Sequence, residues 1–334
     1  MPYRRVRLAA FATLAALAVA ACAPDAPQTT LEPKGPNSRA IDALINPVFL
    51  VAAVVFVLVE AMALVFVIKY RDRGDKSPEP VQIHGNSRLE VGWTLIPAVI
   101  LVAVAIPTIA KIFELSEKPA NAINVTVTAR QFWWEYDYPD LGVVTANELH
   151  MPVDRPLEIT LKGADVIHSF WVPALAGKTD VVPGRENHMN MTGDTVGEYL
   201  GQCTEFCGLS HANMRLRAFV QTPEDFEKWV HDQRVAAAAP AAGSPAADGV
   251  NLFTSKGCSG CHTIEGVSTG KVGPNLSHLY SRTTFAGSLF DMNPDNLAKW
   301  LKDPPGVKPG SKMPNLNLSG EEITKLVAYM ETLQ

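Results

Sequence analysis

The sequence predicts a multidomain membrane protein: a two-helix transmembrane hairpin, then an all-β unit, then an all-α unit. Three observations predict it. Two long apolar runs in the first 115 residues hold a single charge between them. Short segments between 124 and 221 alternate apolar and polar residues with period two. Beyond an Ala/Pro-rich stretch the period becomes helical and stays so to the end of the chain. Composition agrees. A chain of 334 residues suggests about two domains. It is 47% hydrophobic and 19% charged, against a globular norm of about 25% charged. That excludes disordered and collagen-like chains. A net charge of −5 argues against a nucleic-acid partner.

The elements follow in order. Arg4, Arg5 and Arg7 precede an apolar run at 8–21, and the run ends in Val19-Ala-Ala-Cys22. Residues 1–22 therefore read as a secretory signal peptide, too short to span a bilayer. Cleavage near Ala21 or Ala23 fits, and so does a bacterial lipobox with a lipid on Cys22. A hairpin at 40–115 follows, with helices at about 47–69 and 91–112. The first contains Glu60, which reads as a residue facing a partner helix, and the second contains Pro97 and Pro107. The connecting loop carries Lys69, Arg71, Arg73, Lys76 and Arg88. By the positive-inside rule it is cytoplasmic, so everything after the hairpin is exported. This agrees with the signal peptide.

Residues 116–231 form the β unit, an antiparallel sandwich or Greek-key barrel. Its closing helix has Thr222 as N-cap and Pro223 at the first position. It carries nine basic and sixteen acidic side chains, an excess that favours a basic partner through ionic steering. Residues 232–249 are Ala, Pro, Gly and Ser in the main and read as a linker. As a random coil its 15 residues from 235 to 249 would span about 20 Å. Residues 250–334 form the helical unit, whose last helix starts on the capping box Ser319 to Glu322.

The chemistry is concentrated in two motifs. Cys203-Thr-Glu-Phe-Cys207-Gly-Leu-Ser-His211-Ala-Asn-Met214 puts two thiols, an imidazole and a thioether within twelve residues. Soft sulfur with imidazole selects copper, iron or zinc over magnesium or calcium. Zinc has no use for the methionine. Two thiols at i and i+4 can bridge two copper ions, and each copper then needs one histidine. His168, in Asp165-Val-Ile-His168-Ser-Phe-Trp171, is the best second histidine; His150, His188, His231 and His278 have no comparable setting. The other motif, Cys258-Ser-Gly-Cys261-His262, is the covalent haem c signature, with His262 as the proximal ligand. Met313, in Gly310-Ser-Lys-Met313-Pro, is favoured over Met292 and Met330 as the sixth ligand, because a Pro/Gly loop can bring its side chain over a haem.

These residues resemble subunit II of the haem–copper cytochrome c oxidases. The likeness runs over roughly residues 40–231 and includes the hairpin, Gln131-Phe-Trp-Trp-Glu-Tyr-Asp-Tyr-Pro139, Lys178-Thr-Asp180, Pro183-Gly-Arg185 and the cysteine loop. The resemblance implies a cupredoxin Greek-key barrel. It implies two coppers held by His168, Cys203, the Glu205 carbonyl, Cys207, His211 and Met214. It also implies a magnesium ion at the Glu205 side chain, shared with subunit I, and a place for Glu90 near a proton pathway. In the family a Trp follows the glutamine as the residue that admits electrons. Here that residue is Phe132, followed by Trp133 and Trp134. Residues 250–334 resemble a small class-I cytochrome c, with Gly273-Pro-Asn-Leu276 and the Met-Pro loop.

The implied protein is the electron-transfer subunit of a respiratory oxidase in a bacterial inner membrane. Electrons pass from haem c to the copper pair and on to haem in subunit I, where oxygen is reduced and protons are pumped. Subunit III and a soluble or membrane-bound cytochrome c or other donor are the further partners. The chain carries no catalytic residues of its own. It has no Ser-His-Asp set, P-loop or dinucleotide fingerprint, and neither span holds a histidine to ligate a haem. A stand-alone carrier or copper-delivery protein is the alternative outside the oxidases. A quinol-oxidase subunit would lack the copper ligands.

Overall fold

The computed structural model describes residues 12–13, 27–71, 81–82 and 84–334. The signal peptide call falls almost wholly outside these residues, as do Cys22 and the Arg73 and Lys76 of the basic loop.

Two helices cross the apolar layer: α1 (Pro36–Lys69) and α2 (Ser87–Ser116). Both are longer than their apolar runs. Pro36 at the first turn starts α1 early, and Asn86, whose side chain accepts from Arg88 N and Leu89 N, starts α2. Their apolar side chains face outward along both spans, as a lipid environment requires. Glu60 lines an apolar groove between the two helices, with Val55 and Val59 on its own helix and Leu101 and Val104 across from it.

The exported ends of both helices meet at Asn190. Asn37 Nδ2 donates to Asn190 Oδ1 at 2.6 Å, and Asn190 Nδ2 donates to Leu115 O at 2.7 Å. Arg39 pairs with Asp194 beside them. These bonds seat the β unit on the hairpin.

Ten strands then run β1 (Ile123–Arg130), β2 (Trp133–Tyr138), β3 (Val143–Ala146), β4 (Glu148–Pro152), β5 (Leu157–Gly163), β6 (His168–Trp171), β7 (Thr179–Val181), β8 (Glu186–Met191), β9 (Gly197–Cys203) and β10 (Arg215–Gln221). They form two five-stranded sheets, ordered β3-β2-β1-β5-β8 and β4-β10-β9-β6-β7, which together make a curled, open half-barrel. The sheets are mixed, not purely antiparallel as the alternation suggested. β1 pairs parallel to β5 and β4 parallel to β10. The cause is a change of sheet at Asn147, in the left-handed region (φ 63°), which sends β4 to the opposite layer before β5 returns. Between the layers lie Val125, Val127, Trp134, Tyr136, Ile159 and Phe170, all fully or almost fully buried. Each large side chain of this kind contributes about 1.5–3 kcal/mol. Helix α3 (Pro223–Asp232), capped by Thr222, closes one end.

The C-terminal unit is built from α4 (Pro245–Ser255), α5 (Pro294–Lys302), α6 (Pro304–Val307) and α7 (Gly320–Met330), with two short two-stranded ribbons between. Its core holds Phe253, Leu297, Leu301 and Leu326. The capping box of Ser319 and Glu322 is present. Helix α4 begins inside the stretch expected to be linker, because Ser244 accepts from Ala247 N and Pro245 fits the first turn.

The expectation of a free random-coil tether is corrected by contacts between the two exported units. Ser210 Oγ donates to Pro309 O at 2.6 Å, and Arg215 N to Gly287 O at 3.1 Å. The Glu148 carboxylate, 2% exposed, accepts from Thr283 N (2.8 Å) and Thr284 N (2.9 Å). Two glycines permit the approach. A Cβ on Gly287 would lie 2.8 Å from Phe132 O, and one on Gly310 would lie 3.1 Å from Phe132 Cε2.

Candidate metal centres

The sulfur–imidazole cluster is built where β6 and β9 pair, with Phe170 opposite Cys203. His168 opens β6, and Cys203 ends β9. The loop to β10 closes through Cys203 N donating to Met214 O at 2.9 Å. A short turn at His211–Asn213 aims the second imidazole inward.

The result is a chain of donors. Cys203 Sγ lies 3.8 Å from His168 Nδ1, 3.2 Å from Glu205 O and 3.9 Å from Cys207 Sγ. Cys207 Sγ lies 3.6 Å from His211 Nδ1 and 3.8 Å from Met214 Sδ. The two sulfurs are far beyond the roughly 2.05 Å of a disulfide, and both cysteines are free. His168, Cys203, Cys207 and Met214 are buried. The donor atoms of His168, Cys203 and Cys207 fall within 4.8 Å of one another. Two central sulfurs flanked by an imidazole on each side are a donor set suited to soft metal ions.

Electrostatics favour an anionic sulfur at Cys203. The hydrogen bond from Cys207 holds Cys203 well down, to about 4, against the effect of burial and with help from His168. The same bond pushes Cys207 up. Burial alone would lower His168, but its bonds to Cys203 and Asp165 raise it. Asp165 Oδ1 sits 2.8 Å from His168 Nε2. Asp165 is itself held down at about 2: burial opposes this, and hydrogen bonds led by Gln131 N outweigh it. Gln131 Nε2 also donates to Cys207 O at 2.6 Å.

The second centre is a cavity of about 250 Å³ between the C-terminal unit and the edge of the β unit, lined on the C-terminal side by Cys258, Cys261, His262, Arg282, Trp300 and Met313 among others. His262 Nδ1 bonds Pro274 O at 2.9 Å, which leaves Nε2 as the ring nitrogen for a ligand. Burial lowers the His262 pKa, favouring the neutral, ligating form. Met313 Sδ accepts from Trp300 Nε1 at 3.2 Å. Of the rival methionines, Met330 is buried in the core and also reaches the cavity wall, and Met292 does not line it. Arg282 is buried, burial lowers it to about 10, and its Nε has no hydrogen-bond partner among the described residues. A buried cation with an idle donor on the cavity wall fits the carboxylate edge of a haem.

The three aromatics expected to admit electrons separate. Trp134 is a core residue, edge-on to His168 with ring centroids 6.1 Å apart. Phe132 is 5% exposed, and Trp133 is half-buried. Phe132 and Trp133 line the C-terminal cavity together with Arg130, Gln131 and Asp165, so its wall comes from both units. Glu205 is exposed. Glu90 is exposed in the first turn of α2, where its Oε1 accepts from Asn86 N at 3.1 Å. His150 stacks between Phe219 and Trp229, away from the cluster.

Sequence reasoning missed Asp165, Gln131, Arg282, Glu148, Lys308 and Lys312. Asp165 and Gln131 stood inside the quoted motifs, so a polar residue three places before His168 was a usable signal. The lysines gave none, because their partners in the β unit are more than a hundred residues away in sequence.

Fold and sites together define a two-pass membrane protein that presents metal-binding chemistry outside the cytoplasm. Three family profiles match the chain: the transmembrane domain of cytochrome c oxidase subunit II at residues 31–110, its periplasmic domain at 142–220, and cytochrome c at 246–334. The chain is 36% identical over 314 residues to cytochrome c oxidase subunit 2 of Alkalihalophilus pseudofirmus, covering 92% of this chain and 91% of that one. It is 30% identical over 208 residues to quinol oxidase subunit 2 of Bacillus cereus, covering 60% and 72%. The solved periplasmic domain of cytochrome oxidase subunit II from Bradyrhizobium japonicum is 31% identical, with a TM-score of 0.34, over 35% of this chain and 96% of that one. The chain belongs to the cytochrome c oxidase/quinol oxidase subunit II family, with a cytochrome c-like unit fused at its C-terminus. Membership carries an electron-transfer role toward a haem–copper oxidase complex, an oxidoreductase. It also carries a two-pass inner-membrane topology with extracytoplasmic domains.

Proposed function

We propose that this chain is the electron-transfer subunit of a cytochrome c oxidase, with a binuclear copper centre and a covalent haem c. The donor chain of His168, Cys203, Cys207, His211 and Met214, with each neighbouring pair 3.6–3.9 Å apart, carries the reading. The Glu205 carbonyl completes the copper set. Cys258 and Cys261 anchor the haem, with His262 and Met313 as axial ligands. When bound, the copper pair and the haem each carry one electron at a time.

The chain's own residues prepare both sites. Asp165 on Nε2 of His168 turns Nδ1 toward the sulfur. Gln131 fixes the Cys207 carbonyl. Burial of the two thiols excludes water, and Met214 supplies a weak axial donor. A quinol-oxidase subunit would have no use for these donors. The strands support a cupredoxin Greek-key barrel, and the units are 40–115, 116–231 and a C-terminal unit that starts with α4 at Pro245, joined by the stretch before it. Phe132 and Trp133, on the cavity wall, are the aromatics between haem and copper. Partners are subunit I, subunit III and a cytochrome c donor. The exposed Glu205 side chain suits a magnesium ion shared with subunit I, and Glu90 suits the mouth of a proton path.

Metal and haem analysis of the purified full-length chain tests this. Two coppers per covalent haem, with the spin-resonance signal of one electron shared by two coppers, are expected. One copper, or zinc, overturns the binuclear assignment.

A further inference from the structure

The Asp165 carboxylate is a junction. Its Oδ1 meets His168 Nε2 at 2.8 Å, and its Oδ2 accepts from Gln131 N at 2.7 Å. Val166 N also donates to Oδ1, at 2.8 Å, and a fourth partner comes from the other unit: Lys312 Nζ reaches Oδ2 at 3.1 Å. Lys312 immediately precedes Met313 on the cavity wall. The same loop is gripped a second time, four residues earlier, where Lys308 Nζ donates to Phe132 O at 2.7 Å and to Ala286 O at 2.6 Å. Two lysines of one loop thus flank the 131–132 edge of the β unit.

An exposed ion pair contributes little to stability by itself, and the Lys312 side chain is 60% exposed. The geometry around it is less ordinary. His168 is fully buried and Asp165 is mostly so, which leaves the imidazole little freedom except about its bond to the carboxylate. An outer partner that orients a ligating histidine tunes the metal it serves.

We propose that Lys312 is a positioning residue for the copper centre: by holding Asp165 it fixes the orientation and basicity of His168, so the Met313 loop sets the reduction potential of the copper pair. This rests on the copper assignment above. Removing the lysine leaves Oδ2 with the Gln131 N–H alone and takes away a positive charge. Both changes stabilise the oxidised copper pair, so the potential falls.

The test compares the full-length chain with Lys312→Met, Lys312→Arg, Asp165→Asn and the Lys312→Met/Asp165→Asn double variant. Copper potential and the nitrogen hyperfine coupling of the copper signal are measured, with haem absorbance as a check on Met313. Lys312→Met is expected to change the one-electron reduction constant about threefold to tenfold, the upper limit being about 59 mV. It should also alter the His168 coupling, and Lys312→Arg should restore both. In the Asp165→Asn background Lys312→Met should add nothing. Additive effects would show that Lys312 acts only as a distant charge and overturn the proposal. So would a Lys312→Met variant with parental potential and coupling. If the parent chain lacks the two-copper signal, the copper assignment itself fails, and that outcome is separable because it precedes any substitution.

Discussion

The two centres are assembled on opposite plans. The sulfur–imidazole cluster draws all but one donor from a twelve-residue loop between two paired strands, and its donor atoms already stand in contact distance of one another. The C-terminal cavity has its anchors on a turn at Cys258–Gly260 and its methionine on a distant loop, and part of its wall belongs to the β unit. The first should survive the loss of its neighbour. The second depends on how the units dock.

The sharpest way to break this comparison is to remove anchors from each centre in turn. Cys207→Ser should abolish the two-copper signal and leave haem absorbance intact. Replacing Cys258 and Cys261 by Ala should abolish covalent haem and leave the copper signal intact. Cross-effects of equal size, read by absorbance and spin resonance, would show that the centres are not independent.

Docking is the next target. Glu148→Ala strands the Thr283 and Thr284 amide donors in a buried contact, which costs about 3 kcal/mol. Faster hydrogen exchange at 283–284 is expected, with unchanged exchange in β9. Glu148 also predicts acid sensitivity. Burial would raise its pKa, but hydrogen bonds led by His150 and Thr283 outweigh this and lower it. The stability it contributes is present above its unfolded value and is lost as pH falls through the folded one.

A further pH effect comes from Lys308. Burial pushes its amine down to about 7, partly offset by Cys207. The docked state therefore binds fewer protons than the undocked state between pH 7 and the ordinary lysine value near 10.5. Docking should tighten as pH rises through that window, by at most about 1.4 kcal/mol per unit. Lys308→Met should flatten the slope measured by hydrogen exchange. The smallest change is expected from Met214→Leu, which should retain both coppers and shift only their potential, since the thioether is the weak donor.

Much of this was legible in the sequence, for local reasons. The 203–214 loop carries its donors in one turn-rich segment, and the apolar runs of α1 and α2 needed only counting. His168 became a donor through the pairing of Phe170 with Cys203, which strand patterns alone do not specify. Trp134 was grouped with Phe132 and Trp133 in one run of aromatics, yet period two turns it inward beside Tyr136 and Tyr138. Docking was not legible. Glu148 and Thr283 are 135 residues apart, and no local pattern joins them. The Ala/Pro composition of 232–249 suggested a free tether, while polar contacts far from that stretch set the distance between the units.

The central claim is that the C-terminal unit is docked on the β unit rather than loosely tethered. Electron equilibration between haem and copper, followed after rapid reduction of the haem in the full-length chain, tests it most directly. The account predicts a first-order rate that is independent of protein concentration and unchanged when about ten Gly/Ser residues are inserted at 235–243. A rate that falls as the linker lengthens, as it does for a flexible tether, or that scales with protein concentration, would contradict it.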